Sequence, residues 1–199
     1  GNTRCARPWR PEPTRDNGAM NTASSPPTIT FIGGGNMASA IVGGLIRQSH
    51  PASALQIVGP WDEQRTKLAQ QFPGVALLPA AGPTLKPSSL VVWAVKPQTF
   101  KDAALASQPH LGNALHLSVA AGITSESMAG WLQTQRIVRA MPNTPALVGL
   151  GMTGLFARAG ACNDDRALIE TVVKTTGDLV WVTEEAQLDA VTALSGSGP

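Results

Sequence analysis

The stretch "FIGGGNMASAI", residues 31–41, decides how the rest of the chain is read. Gly33, Gly35 and Ala38 fill a G-x-G-x-x-A pattern. In such a pattern the first glycine allows a tight turn, and the second lets a pyrophosphate approach the backbone. The third small residue lets the following helix pack close to its strand. Free N–H groups and the partial positive charge of the helix N-terminus then face the phosphates. A glycine-rich turn that binds nothing would look similar in isolation. Here, however, the pattern follows the β-rich run "TITFIG" (28–33) and opens the helical run "NMASAIVGGLIRQ" (36–48), the context in which it marks a nucleotide site.

Working outward, strand and helix signals alternate. "LQIVG" (55–59) reads as a second strand, followed by a helix "DEQRTKLAQQF" (62–72) with Leu68, Ala69 and Phe72 on one face. "SLVVWAV" (89–95) is wholly apolar, as expected of a central strand covered on both faces of a parallel sheet. "ALHLSVAA" (114–121) and "RIVRAMP" (136–142) follow as strands, with the helix "TSESMAGWLQ" (124–133) between them, for which Thr124 and Ser127 are candidate caps. "GMTGLFA" (151–157) and "LVWVTE" (179–184) are later strands flanking a helix over about 164–175. This alternation predicts an α/β, doubly wound, mostly parallel Rossmann-type sheet over residues 28–190. Residues 1–27 carry prolines and scattered charges without an apolar period. They read as a disordered leader, upstream or appended sequence before a natural start at Met20. The closing "TALSGSGP" (192–199) reads as a loop feeding a helix, with Ser as cap and Pro at the first helical position.

Composition narrows the classes of function. At 199 residues, 43% hydrophobic and 14% charged, the chain can build one domain with a substantial core. Its net charge of +2 resides in residues 1–20, where Arg4, Arg7, Arg10 and Arg15 outnumber Glu12 and Asp16; the remainder balances. A nucleic-acid partner is therefore not indicated. No apolar run approaches the roughly 20 residues of a membrane span, so a cytoplasmic protein is expected. Cys5 and Cys162 make neither a disulfide framework nor a metal motif. His50, His110 and His116 lack metal-ligand spacing and read as surface or packing residues, so no metal site is expected.

An acid about 20 residues beyond the glycine loop would grip the ribose of NAD. The chain instead reads "IVGPWDEQR" (57–65), which favours NADPH, with NADH as the alternative. Arg65 and Lys67 are candidate partners of a 2′-phosphate or, more simply, a solvated helix face. The other strand ends carry small residues at Ala94, Ala120, Ala121 and Gly122, which leave room for a ring and a ribose. Lys96 there is a candidate cation or a solvated lysine; Asn143 and Thr144 could meet a ligand or hold their own turn.

Taken together, "FIGGGNMASAI", "WAVKPQ", "AAGIT", "RAMPNTP" and "DAVTALSGSGP" resemble the Δ1-pyrroline-5-carboxylate reductase family from about residue 28 to 199. The resemblance implies NADPH-dependent reduction of a cyclic imine to L-proline, the last step of proline biosynthesis, by hydride transfer to a C=N bond. It implies cofactor contacts from Ile32, Gly33, Gly34, Gly35, Asn36 and Met37, from Ala94, Val95, Lys96 and Pro97, and from Ala121. Ser195, Gly196, Ser197 and Gly198 would edge the substrate site. Residues 191–199 would open an all-helical dimerisation domain, through which the intact enzyme forms a homo-oligomer. The proton donor is expected beyond Pro199, so no catalytic residue is assigned and residues 1–199 alone are expected not to turn over. The chain departs from the family in reading "GPW" (59–61) where members often carry Ser, Asn or Arg, and "PAAGP" (79–83) where many carry Asn. Two other readings stand beside this one: a non-catalytic NADP-binding module, and a related Rossmann reductase acting on another small acid.

Overall fold

A computed structural model describes residues 25–143 and 151–196. The leader before residue 25, Thr144 in the "MPNTP" segment, and Ser197 and Gly198 lie outside the described residues.

Among the described residues eight strands form one sheet: β1 (Ile29–Ile32), β2 (Leu55–Val58), β3 (Ala76–Leu78), β4 (Leu90–Trp93), β5 (Leu115–Ser118), β6 (Ile137–Met141), β7 (Gly151–Ala157) and β8 (Gly177–Trp181). Their order is β3-β2-β1-β4-β5-β6-β7-β8. The first six run parallel; β7 lies antiparallel to β6, and β8 runs parallel to β7. The strands β1, β2, β4 and β5 are buried along their whole length because helices or connecting chain cover both faces. On one face lie α1 (Asn36–Arg47), α2 (Asp62–Gln71) and α5 (Asn163–Val173), packing Ile41, Leu45, Leu68, Phe72, Ile169 and Val172 against the sheet. The other face carries α3 (Pro97–Ser107) and α4 (Ser125–Leu132), through Phe100, Ala104, Met128 and Leu132. A further helix, α6 (Gln187–Gly196), sits against β6 and β7, with Leu188 and Val191 close to Gly154.

Several local readings hold and others shift. Thr124 caps α4, its hydroxyl accepting the Ser127 N–H at 3.1 Å. Ala69, expected on the buried face of α2 with Leu68 and Phe72, is exposed instead. Ser195 and Gly196, expected in a loop, end α6, because the run QLDAVTALSG continues helical past its buried Leu188. Cys162 caps α5 together with Asp165, whose carboxylate accepts the Cys162 N–H at 3.1 Å.

Two polar clusters tie loops to this frame. Gln56 on β2 donates to the Thr30 hydroxyl at 2.9 Å and to the Lys86 carbonyl at 3.2 Å, and accepts the Lys86 N–H at 2.9 Å. The β3–β4 connection, which contains no helix, is thereby fastened to the buried strands β2 and β1. At the start of α6, the Glu185 carboxylate accepts from the Ser125 N–H and hydroxyl, both at 2.7 Å, and from Arg139 at 2.9 Å. Burial pushes this carboxyl up, but the hydrogen bonds from Ser125 and the Arg139 guanidinium outweigh that and hold it below the usual carboxylate range.

At the sheet centre the buried Trp93 indole donates its Nε1–H to His116 Nδ1 at 3.0 Å. Burial, and secondarily the charge of Arg136, lowers the His116 pKa from 6.5 to about 4. The unfolded chain therefore binds more protons than the folded one between those two values. Stability contributed by the neutral ring is complete above pH 6.5 and drains as pH falls toward 4, by about 3 kcal/mol. Replacing His116 with Gln, which keeps an acceptor for Trp93, is expected to flatten the acid limb of stability over that window, as read by urea unfolding at a series of pH values.

Candidate nucleotide-binding site

In an open α/β sheet, ligands lie outside the carboxyl ends of the strands, where the strand order reverses. Here that point is between β1 and β4, since the chain winds outward from β1 to β2 and β3 and then returns to the other side of β1. A cleft of about 580 Å³ opens there. Its floor is Ile32, Gly33, Gly34 and Gly35 from the β1–α1 turn and Ala94, Val95 and Lys96 from the end of β4. Its outer walls are Pro60 and Trp61 after β2 and Pro79 to Ala81 after β3. A second cleft of about 520 Å³ continues past Gly35 along α1 and α2, reaching Asn36, Ser39, Glu63 and Lys67.

The glycines differ in what forces them. Gly33 has φ +99°, a conformation L side chains rarely adopt, and a Cβ there would lie 2.5 Å from the Ala94 carbonyl oxygen. Gly35 is the N-cap of α1, with φ −75° and ψ −168° that any residue adopts, and a Cβ there meets no atom within 4 Å. Space, rather than conformation, is what Gly35 preserves, and the space lies at the N-terminus of a 12-residue helix with no acidic residue in its first turn. These are the conditions for holding a pyrophosphate on free backbone N–H groups. The residues therefore fit a dinucleotide.

Seven of the residues expected to hold cofactor, Ile32 to Gly35 and Ala94 to Lys96, line the first cleft, and Asn36 lines the second. Met37 does not: one position on, its side chain packs against the core. Pro97 begins α3 and is exposed, and Ala121 is exposed in the β5–α4 loop; neither lines a cleft. Ser195 and Gly196 lie in α6.

Other residues take roles that the sequence left open. Arg65 is not a solvated face: its guanidinium donates to the Gly59 carbonyl at 2.6 Å and to the Asp62 carboxylate, clamping the β2–α2 turn. Among the described residues, Lys67 carries the one ammonium lining the second cleft. Asn143 accepts the Met152 N–H at 3.2 Å and so holds the β6–β7 turn. Pro60, Trp61, Pro79 and Thr99 were not singled out as site residues. Trp61 had a signal, an aromatic side chain just past a strand end with no apolar residue three or four positions on. Among the described residues no group of three His, Cys, Asp or Glu side chains could hold a metal ion, and no helix is long and apolar enough to cross a membrane.

The family described as NADP oxidoreductase coenzyme F420-dependent matches residues 28–122. The chain is 41% identical over 177 residues to the pyrroline-5-carboxylate reductase of Pseudomonas aeruginosa, covering 88% of this chain and 64% of that protein. It is 40% identical over 173 residues to the corresponding reductase of Haemophilus influenzae, covering 86% of this chain and 63% of that protein. It thus spans a little under two thirds of the length of these relatives. Among solved structures, the pyrroline-5-carboxylate reductase of Coxiella burnetii superposes with a TM-score of 0.81 at 36% identity, covering 87% of this chain and 65% of that one. The Plasmodium falciparum enzyme with NADP bound shares the fold, with a TM-score of 0.73 at 23% identity over 88% of this chain and 64% of that one. Its glycine turn, its strand order and these likenesses agree: over most of its length the chain is similar to the matched part of pyrroline-5-carboxylate reductases.

Proposed function

We propose that residues 28–190 are the NADPH-binding domain of an enzyme that reduces 1-pyrroline-5-carboxylate to L-proline, and that residues 191–199 lead into a helical domain that forms the homo-oligomer and completes the substrate site. A cytoplasmic location accords with this role. The observation that carries the reading is the open space at Gly35, between the N-terminus of α1 and the strand switch point. NADPH, when bound, supplies a hydride to the imine carbon. The chain's own part is to hold and orient. Gly33 brings the turn against β4, the N-terminus of α1 receives the pyrophosphate, and Ala94 and Val95 leave a flat apolar floor. Lys67 supplies positive charge in the second cleft, where Arg65 already answers Asp62. Ser195 to Gly198 would edge the substrate, and the proton for the ring nitrogen would come from a group outside residues 1–199.

Calorimetric titration with NADPH, combined with an assay of imine-dependent NADPH oxidation, tests this division of labour. Residues 1–199 are expected to bind NADPH without turnover. Failure to bind would sink the nucleotide reading, and robust turnover would sink the placement of the proton donor. Replacing Gly35 with Ala is expected to leave the melting temperature of the free protein unchanged while weakening NADPH about tenfold or more, because the added methyl enters only the phosphate space. Replacing Lys67 with Glu is expected to weaken NADPH severalfold while leaving NADH nearly unaffected, as measured by competitive titration.

A further inference from the structure

Trp61 is the most exposed large apolar side chain among the described residues, at 70%. Its backbone is nonetheless held firmly. Pro60 precedes it, and the Gly59 N–H donates to the Leu78 carbonyl at 2.9 Å. Arg65 reaches back to the Gly59 carbonyl, and the Arg65 N–H donates to the Trp61 carbonyl at 3.0 Å. The indole therefore stands on a fixed turn at the rim shared by both clefts. Across the larger cleft the facing wall is Pro79 to Ala81, apolar and without a charged side chain. That wall belongs to the β3–β4 connection, which Gln56 fastens to the sheet. The outer end of the cleft is thus a slot between an aromatic side chain carried on a fixed turn and a short apolar wall fastened to the sheet.

Such a slot suits a flat heteroaromatic ring, and the strand end on which it stands is where a dinucleotide presents its purine. We propose that Trp61 is the stacking platform for the adenine ring of the cofactor. This rests on the dinucleotide reading of the cleft and adds to it a specificity. Recognition of the base then rests on the aromatic face of Trp61 and the apolar wall of Pro79 to Ala81. A hypoxanthine analogue of the cofactor, with the same π-face, is therefore accepted nearly as well as adenine.

The test uses 2′-phospho-ADP-ribose, which carries the adenine half alone, titrated into the wild-type, Trp61→Ala and Trp61→Phe proteins by calorimetry and by tryptophan fluorescence. Trp61→Ala is expected to bind about tenfold or more weakly, and Trp61→Phe to recover most of the affinity. Wild-type fluorescence is expected to fall on binding, and that fall to disappear in Trp61→Phe although calorimetry still reports binding. Equal affinity of Trp61→Ala and wild type overturns the proposal, as does an unchanged quench in Trp61→Phe. Discrimination of tenfold or more against the hypoxanthine analogue overturns the account of base recognition. If the wild-type protein binds neither 2′-phospho-ADP-ribose nor NADPH, the dinucleotide reading fails instead.

Discussion

The arrangement of the site follows from one close approach, that of the Gly33 backbone to the carbonyl of Ala94. A methyl group at residue 33 would sit 2.5 Å from that oxygen, so the turn leaving β1 can touch the end of β4 only because the residue has no side chain. The contact closes the floor of the cleft and directs α1 so that its N-terminus opens into the cleft. It also sets the level at which the β2 and β3 turns rise as walls. Moving Gly33 outward would not merely loosen a loop; it would separate the phosphate end of the site from its apolar floor.

Much of this was legible because its causes are local. The glycine pattern at residues 33–38 carries its own geometry, and strands such as "LVVWA" announce burial on both faces by having no polar side of their own. What escaped depends on distant partners or on weak periods. The three residues of β3 are too few to show a period, and α3 buries only Phe100, Ala104 and Ser107 within a polar run. α6 was hidden by its C-terminal Ser and Gly, which suggest a loop until Leu188 and Val191 are seen against Gly154. Arg65 looks like an ordinary helix-surface arginine unless the Gly59 carbonyl, six residues back around a turn, is placed beside it.

The buried polar pairs show the same division. His116 alternates with Leu115 and Leu117, so burial was readable, but its partner Trp93 comes from the neighbouring strand 23 residues away. Glu185 sits in a charged segment that reads as solvated. In the fold it meets the N-terminus of α4 and the buried Arg139, and so fixes where α6 begins. In each case the sequence names the chemical group and only the topology supplies what answers it.

The fastening of residues 79–89 by Gln56 has a thermodynamic consequence. A helix-free crossover of this kind would ordinarily sample many conformations and would have to be ordered when a ligand arrived, at an entropic cost for every residue immobilised. A buried carboxamide that spends its donor and acceptor on Lys86 settles that cost during folding. The energy released by a ring entering the slot would then be available as affinity, since none of it would be consumed in assembling the wall.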